Sequence, residues 1–366
     1  MSRHLAKSLL LTIFVVIFGL YSASCQPSGD DLLIATFLDV GQGDAIHFEY
    51  KGKNLLIDAG SRNMGDRVTS HLMDRGVTSL DYAVATHPHE DHIGGMIAVL
   101  NQFHVGKFID SGQVHTTRTF EDMLNLIDRK DIPYIVPEPG ETIDFDSNIT
   151  ILVLSPPPEQ QFSDLNDNSL ILKITYGQVS FLMTGDAGHD TENHLISSGF
   201  DLDSTILKVG HHGSRYSTSR PFLRAVSPEV SIIQVGADNS YGHPTQQVLS
   251  NLQAVGSEIY RTDTSGNIIV TTDGKTYSVT TKRYSTGLDT TTSTSSLAAT
   301  TATTTTSSVA AAVSAGPFVG SKKSDKYHHP SCSSAKRISP ANLVTFSSSA
   351  DARSKGYTPC GACRPP

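Results

Sequence analysis

The sequence predicts a mixed α/β domain, two sheets covered by helices, followed by a small C-terminal domain stapled by a metal ion. Three observations carry this expectation. From residue 32 onward, short β-branched runs alternate with glycine turns and a few stretches of helical period. Residues able to hold metal ions follow directly on several of those runs, most densely in Thr86-His87-Pro88-His89-Glu90-Asp91-His92-Ile93-Gly94-Gly95. Near the end of the 366 residues, His328-x-x-x-Cys332 and Cys360-x-x-Cys363 have the pattern of a four-ligand zinc site.

The elements follow in order. Residues 1–25 carry Arg3 and Lys7, an apolar run over 9–20, and Ser22-Ala23-Ser24 before Cys25. That is the order of an export signal, with cleavage expected near residue 24. The apolar run is shorter than the roughly 20 residues that span a bilayer, so a signal is expected rather than an anchor. Cys25 is a candidate for lipid attachment to a membrane, with an ordinary secretory signal as the competing reading. Strands are expected at 34–38, 45–50, 54–58, 82–85, 149–154, 169–176, 179–183, 205–209 and 230–234. Helices are expected at 67–75, 93–103, 119–130, 191–197 and 246–255. The hairpin signal Tyr176-Gly177-Gln178 argues against an open, all-parallel sheet. Residues 285–316 are mostly Thr, Ser and Ala, with Asp289 the only charge, and read as a linker.

Charge divides the chain unevenly. Residues 317–366 hold eight Lys and Arg against Asp325 and Asp351, a balance of +6. With −8 overall and +2 in the leader, residues 25–316 carry −16. A domain so acidic is no general polyanion binder, because phosphate contacts come mainly from Lys and Arg. Nucleic-acid affinity is expected in the tail, where an anionic cell-wall polymer is the alternative partner.

The histidine motif follows a strand and opens a helix, so its donors leave a strand end together, where a loop can fold them round an ion. Three imidazoles and the Asp91 carboxylate within His87–His92 suit a borderline ion such as Zn²⁺, with Mn²⁺ the alternative. Partners stand at other strand ends: Asp186 after Phe181-Leu182-Met183-Thr184-Gly185, His211-His212 after Leu207-Lys208-Val209-Gly210, and Asp58 after Leu55-Leu56-Ile57. Alone, each is an ordinary strand-end cap; together they call for a shared centre.

These motifs resemble the metallo-β-lactamase fold family over about residues 31–283. More narrowly, Leu38-Asp39-Val40-Gly41-Gln42-Gly43-Asp44-Ala45, Asn168-Ser169-Leu170, Lys208-Val209-Gly210-His211-His212-Gly213-Ser214 and Tyr241-Gly242-His243-Pro244 resemble the hydrolase domain of ComEC-type competence proteins, DNA-uptake channels. The resemblance implies a four-layer αβ/βα sandwich with two divalent metals, Zn or Mn, at the shared edge of its sheets. It implies His87 and His89 on one metal, Asp91, His92 and His211 on the other, with His212 the alternative to His211, and Asp186 bridging. Asp44 and Asp58 would orient ligand histidines from behind. One departure stands out: where the family commonly has a further histidine, this chain has Asn166-Asp167-Asn168-Ser169, so an oxygen ligand from Asp167 or Asn168 is expected to make that site harder. Two adjacent ions lower the pKa of a water and polarise the scissile centre, which suits a phosphodiester. Asp91 would hold the nucleophile, and His212 or His243 would protonate the leaving oxygen.

In the C-terminal domain, His328, Cys332, Cys360 and Cys363 form the expected structural zinc site, with a disulfide as the competitor in an oxidising compartment. Residues 327–332, Phe346-Ser347-Ser348, 352–357 and Pro359-Cys360-Gly361-Ala362-Cys363-Arg364-Pro365 resemble the metal-binding domain of the Ada DNA-repair protein. In that family the first ligand cysteine accepts a methyl group; His328 stands in its place, which excludes that chemistry and leaves a zinc fold with a basic surface. The combined expectation is an extracytoplasmic, secreted or cell-surface enzyme, a phosphodiesterase or nuclease acting on DNA. The competing readings are a hydrolase of a lactone, β-lactam or cell-wall phosphoester, and a non-catalytic DNA-capture module.

Overall fold

The computed structural model describes residues 31–156, 162–283, 294–297 and, with gaps, 318–363. The expected export signal and Cys25 lie outside the described residues, as do Lys336, Arg337 and Arg364 of the basic tail. The chain separates into two compact units, with the boundary between Ala299 and Thr300.

Unit 1 opens with three antiparallel strands, β1 (Leu33–Phe37), β2 (Ile46–Tyr50) and β3 (Lys53–Ile57). There follow α1 (Gly65–Asp74), β4 (Ser79–Ala85), α2 (Glu90–Ile93), α3 (Met96–Gln102), β5 (His104–Asp110), α4 (Arg118–Arg129) and β6 (Tyr134–Ile135). The second half runs β7 (Thr142–Asp146), β8 (Ile149–Ser155), β9 (Ile171–Tyr176), β10 (Val179–Met183), α5 (His189–Ser198), β11 (Ile206–Lys208), α6 (Arg220–Val226), β12 (Val230–Ile233), α7 (Gln246–Ala254) and β13 (Glu258–Arg261). It closes with α8 (Thr262–Ser265), β14 (Asn267–Thr272), β15 (Tyr277–Lys282) and β16 (Thr294–Leu297).

Two mixed sheets result, one ordered β16-β15-β14-β1-β2-β3-β4-β5-β6 and the other β13-β12-β11-β10-β9-β8-β7. The inner faces meet in one apolar layer that includes Phe37, Phe48, Val84, Ile151, Phe181 and Val230. Phe48 and Phe181 touch edge to face across it, with centroids 5.4 Å apart. The outer face of the first sheet packs on α1, α3 and α4 through Leu72, Leu100 and Met123; that of the second packs on α5, α6 and α7 through Leu195, Phe222 and Leu252. The four-layer αβ/βα sandwich is therefore present. Strands β3 to β6 are mutually parallel, as are β10 to β13, so within each set the loops leave from one sheet end.

Several strands escaped the sequence: β5, β7, β14 and β15 carry Thr, Lys, Asp or Gly, and β13 carries Glu and Arg, within runs too polar or too short to register. The helix expected over 93–103 is broken at Gly94-Gly95. A Cβ on Gly95 would lie 2.0 Å from the Ala59 carbonyl oxygen, so glycine is needed where this turn meets the end of β3. Within the span expected to be a linker, Thr294–Leu297 pairs antiparallel with β15 and covers an otherwise open edge.

Unit 2 is a four-stranded sheet ordered β19-β17-β18-β20, from β17 (Phe318–Ser321), β18 (Lys326–His328), β19 (Leu343–Phe346) and β20 (Thr358–Pro359). Its small core gathers Phe318, Tyr327, Phe346 and Ala352.

Candidate metal centre

The centre begins where β3 and β4 end. Asp58, in a left-handed conformation (φ 55°) directly after β3, accepts hydrogen bonds from the Thr86 backbone N at 2.8 Å and the Thr86 hydroxyl at 2.7 Å. The same carboxylate lies 2.8 Å from His92 Nδ1. A carboxylate can only accept, so the His92 proton sits on Nδ1 and the Nε2 lone pair points the other way. His87 and His92 are fully buried with ring centroids 4.1 Å apart, and His87 Nε2 is 3.1 Å from His89 Nδ1.

The other half arrives from the second sheet. Asp186 follows β10 and brings Oδ2 to 3.4 Å from His92 Nε2, 3.3 Å from His212 Nε2 and 4.0 Å from His87 Nε2. After β11 the chain makes a left-handed turn at His211 (φ 46°) and His212 (φ 53°). His212 is buried, with Nδ1 2.9 Å from the Gln234 carbonyl and 3.3 Å from Asp44 Oδ1, and Nε2 3.4 Å from Asp91 Oδ2. Gln234 also donates through Nε2 to the Leu38 and Ala45 carbonyls, each at 2.9 Å, and so braces the loop that carries Asp44.

Two overlapping donor sets emerge, His87 with His92 and Asp186, and Asp91 with His92 and His212, each with its ligand atoms within 4.8 Å. The electrostatics fit cations. Burial works against charge at Asp186, yet His212 and His92 outweigh it and hold the carboxyl well below its ordinary range. Burial likewise opposes charge on His92 and His212, but Asp186 foremost among the surrounding carboxylates holds both well above the usual imidazole value. His92 Nε2, His212 Nε2 and Asp186 Oδ1 are buried without a hydrogen-bond partner. Each such atom left unpaired costs about 1–3 kcal/mol, and this mixed nitrogen and oxygen set is one that Zn²⁺ or Mn²⁺ would satisfy.

The other expected site residues are placed as follows. The ring inside the cluster is that of His212, whereas the His211 side chain is 28% exposed with Nε2 3.9 Å from Asp186. The left-handed turn is what reverses the two rings, and sequence spacing does not encode it. His212 is thereby too enclosed for a leaving-group acid. His243 lines the cleft, and burial, with His211 and His212 nearby, pushes its pKa down to about 4. Asp167 accepts from the Gly188 and Thr191 backbone N and the Thr191 hydroxyl at the start of α5, and Asn168 donates to the Phe162 and Asp164 carbonyls. Both are committed to local structure. Their neighbour Asn166 lines the cleft instead, with a buried Oδ1 that has no hydrogen-bond partner.

The cleft encloses about 420 Å³, and sequence reading missed Gln42, His115, Asn166 and Tyr241 on its walls. None belongs to a metal-ligand pattern, so only proximity reveals them. In unit 2, His328, Cys332, Cys360 and Cys363 converge with ligand atoms within 4.8 Å, and the three cysteines are free thiols.

Fold and centre together define a metal-dependent hydrolase, and the chain belongs to the metallo-beta-lactamase superfamily, which matches residues 38–236. Residues 306–366 match the metal binding domain of Ada. Among curated relatives, the chain is 28% identical over 271 residues to ComE operon protein 3 of Bacillus subtilis, covering 69% of this chain and 34% of that one. It is 32% identical over 235 residues to competence protein ComA of Neisseria gonorrhoeae, covering 63% and 31%. It is 28% identical over 238 residues to recombination protein 2 of Haemophilus influenzae, covering 64% and 28%. The chain thus spans about a third of the length of these relatives. Among the described residues, no helix is long and apolar enough to cross a membrane.

Proposed function

We propose that this chain is an exported phosphodiesterase or nuclease that cleaves DNA at a two-ion centre, with the C-terminal unit holding the polyanion. The observation that carries the reading is the convergence of His89, Asp91, Asp186 and His212 on one cleft, with the buried His87 and His92 gathered against Asp186 behind it. In this reading His87, His89, Asp91, His92, Asp186 and His212 would together hold two divalent ions, Zn²⁺ or Mn²⁺. When bound, such ions polarise a phosphodiester and lower the pKa of an attacking water.

The protein's own groups do the rest. Asp58 holds a proton of His92 on Nδ1, and the Gln234 carbonyl does the same for His212, so Nε2 is the atom at which each ring would exchange its second proton for an ion. Asp91, its side chain a third exposed at the cleft, would orient the attacking water. Neutral His243 accepts a proton or a substrate hydrogen bond at the rim. DNA as substrate is supported by the names of two relatives, competence protein ComA and recombination protein 2. The +6 balance of residues 317–366 supports the tail as the DNA-holding part, and the leader supports export, with Cys25 a candidate lipid anchor.

The test is cleavage of single- and double-stranded DNA by the purified protein with Mn²⁺, Zn²⁺ or Mg²⁺, beside His89→Ala. Cleavage by the wild type alone is expected. Absence of cleavage with ions demonstrably bound would replace DNA by a smaller ester, lactone or lactam.

A further inference from the structure

We propose that Lys208 is a positioning residue of the metal centre, acting through Asp44 on the imidazole of His212. The inference rests on the reading of His212 as a ligand and extends it one layer outward.

Lys208 closes β11 inside the run Ile206-Leu207-Lys208-Val209 and is fully buried. Its Nζ lies 2.7 Å from Asp44 Oδ2, donates to the Val209 carbonyl at 2.8 Å and reaches the Gly185 carbonyl at 3.5 Å. An ammonium group withdrawn from water is costly unless paired and hydrogen-bonded, and an apolar pair of similar volume is often as stable. Stability alone therefore gives little reason for the pair.

Its position gives one. Asp44 is fully buried, with Oδ2 held by Lys208 and Oδ1 turned to His212 Nδ1 at 3.3 Å without a hydrogen-bond partner of its own. The Nδ1 edge of His212 is thus clasped between the Gln234 carbonyl and this carboxylate, while Nε2 faces Asp91 and Asp186. Without Lys208 the Asp44 carboxylate loses the ammonium that holds Oδ2, and one side of the clasp is loosened. The Gly185 contact adds a second effect, because that carbonyl immediately precedes Asp186. One ammonium group therefore ties together the loop carrying Asp44, the turn carrying Asp186 and the strand leading to His212.

Cobalt(II) titration separates the sites, because thiolate-to-metal absorption marks the ion in the C-terminal unit and ligand-field bands report those in the hydrolase domain. The comparison is among wild type, Lys208→Met, Asp44→Asn and the double variant. Lys208→Met is expected to weaken one hydrolase-domain ion by about 10- to 100-fold, as loss of a group behind a metal ligand does. The thiolate-marked ion, in the separate C-terminal unit, should stay within about twofold. The double variant should bind no more weakly than Asp44→Asn. Unchanged binding by Lys208→Met, or losses that add in the double variant, would overturn the proposal. Should Lys208→Met fail to fold, the double variant, in which neither charge is left buried alone, decides on the same comparison with Asp44→Asn. A wild type that takes up cobalt only at the thiolate site would bring down the two-ion reading itself.

Discussion

At the residue scale, the assignment of neighbouring histidines to different work is the sharpest consequence of the geometry. His212→Ala removes a buried imidazole whose Nε2 faces two carboxylates, whereas His211→Ala trims a ring on the cleft wall. The first should abolish binding of one ion and reduce turnover by orders of magnitude, and the second should leave both ions bound, as metal analysis after dialysis will read. Far from the centre, His47 and His71 are buried together with Nδ1 and Nε2 3.2 Å apart. Burial pushes His47 down to about 4 and His71 to about 3, from an ordinary 6.5. Because the folded values lie below the unfolded ones, their contribution is complete above about pH 6.5 and is lost as pH falls toward 4. For His47 alone the loss between pH 7 and pH 5 is roughly 2 kcal/mol. Urea midpoints across that window should fall for the wild type and fall less for His71→Gln.

At the scale of elements, the site is made by strand ends and by loops that approach them too closely for side chains. Gly43 has φ 133°, and a Cβ there would lie 2.2 Å from the Asp91 carbonyl oxygen. That approach lets the Asp44 backbone N donate to Asp91 O at 3.2 Å and joins the β1–β2 loop to α2. Gly43→Ala is expected to cost about 3 kcal/mol or more and to weaken metal binding along with stability. A denaturation midpoint within error of the wild type would show that the loop can move aside. The Gly94-Gly95 break between α2 and α3 belongs to the same design, since it docks the histidine loop on the end of β3.

At the scale of the whole molecule, two units with separate cores predict separable failures. Cys360→Ala removes one of four convergent ligands and should lower the melting transition of unit 2, in which a metal supplements a core of few large side chains. Hydrolysis of a small phosphodiester by unit 1 should be unchanged. On DNA the same variant should bind less tightly, and wild-type affinity should fall steeply with salt, as expected when lysines and arginines release phosphate counterions. Salt-independent binding would remove the tail from that role.

Much of this was written in the sequence. The histidine motif, Asp58, Asp186 and the terminal His/Cys set declare themselves because metal ligands need fixed residue types, and strands such as Phe181–Met183 deliver them in short, readable runs. The four layers followed only through resemblance, since polar strands such as β5 and β15 take their place from neighbours already paired. What the tertiary structure alone decided is direction. Whether His211 or His212 faces inward depends on two left-handed residues, and Asn166 rather than Asp167 meets the cleft because α5 claims the Asp167 carboxylate. Lys208 reads as an anomaly in an apolar strand until Asp44, far away in sequence, is brought to 2.7 Å. Local sequence determines which donors exist, and long-range packing determines which way each one points.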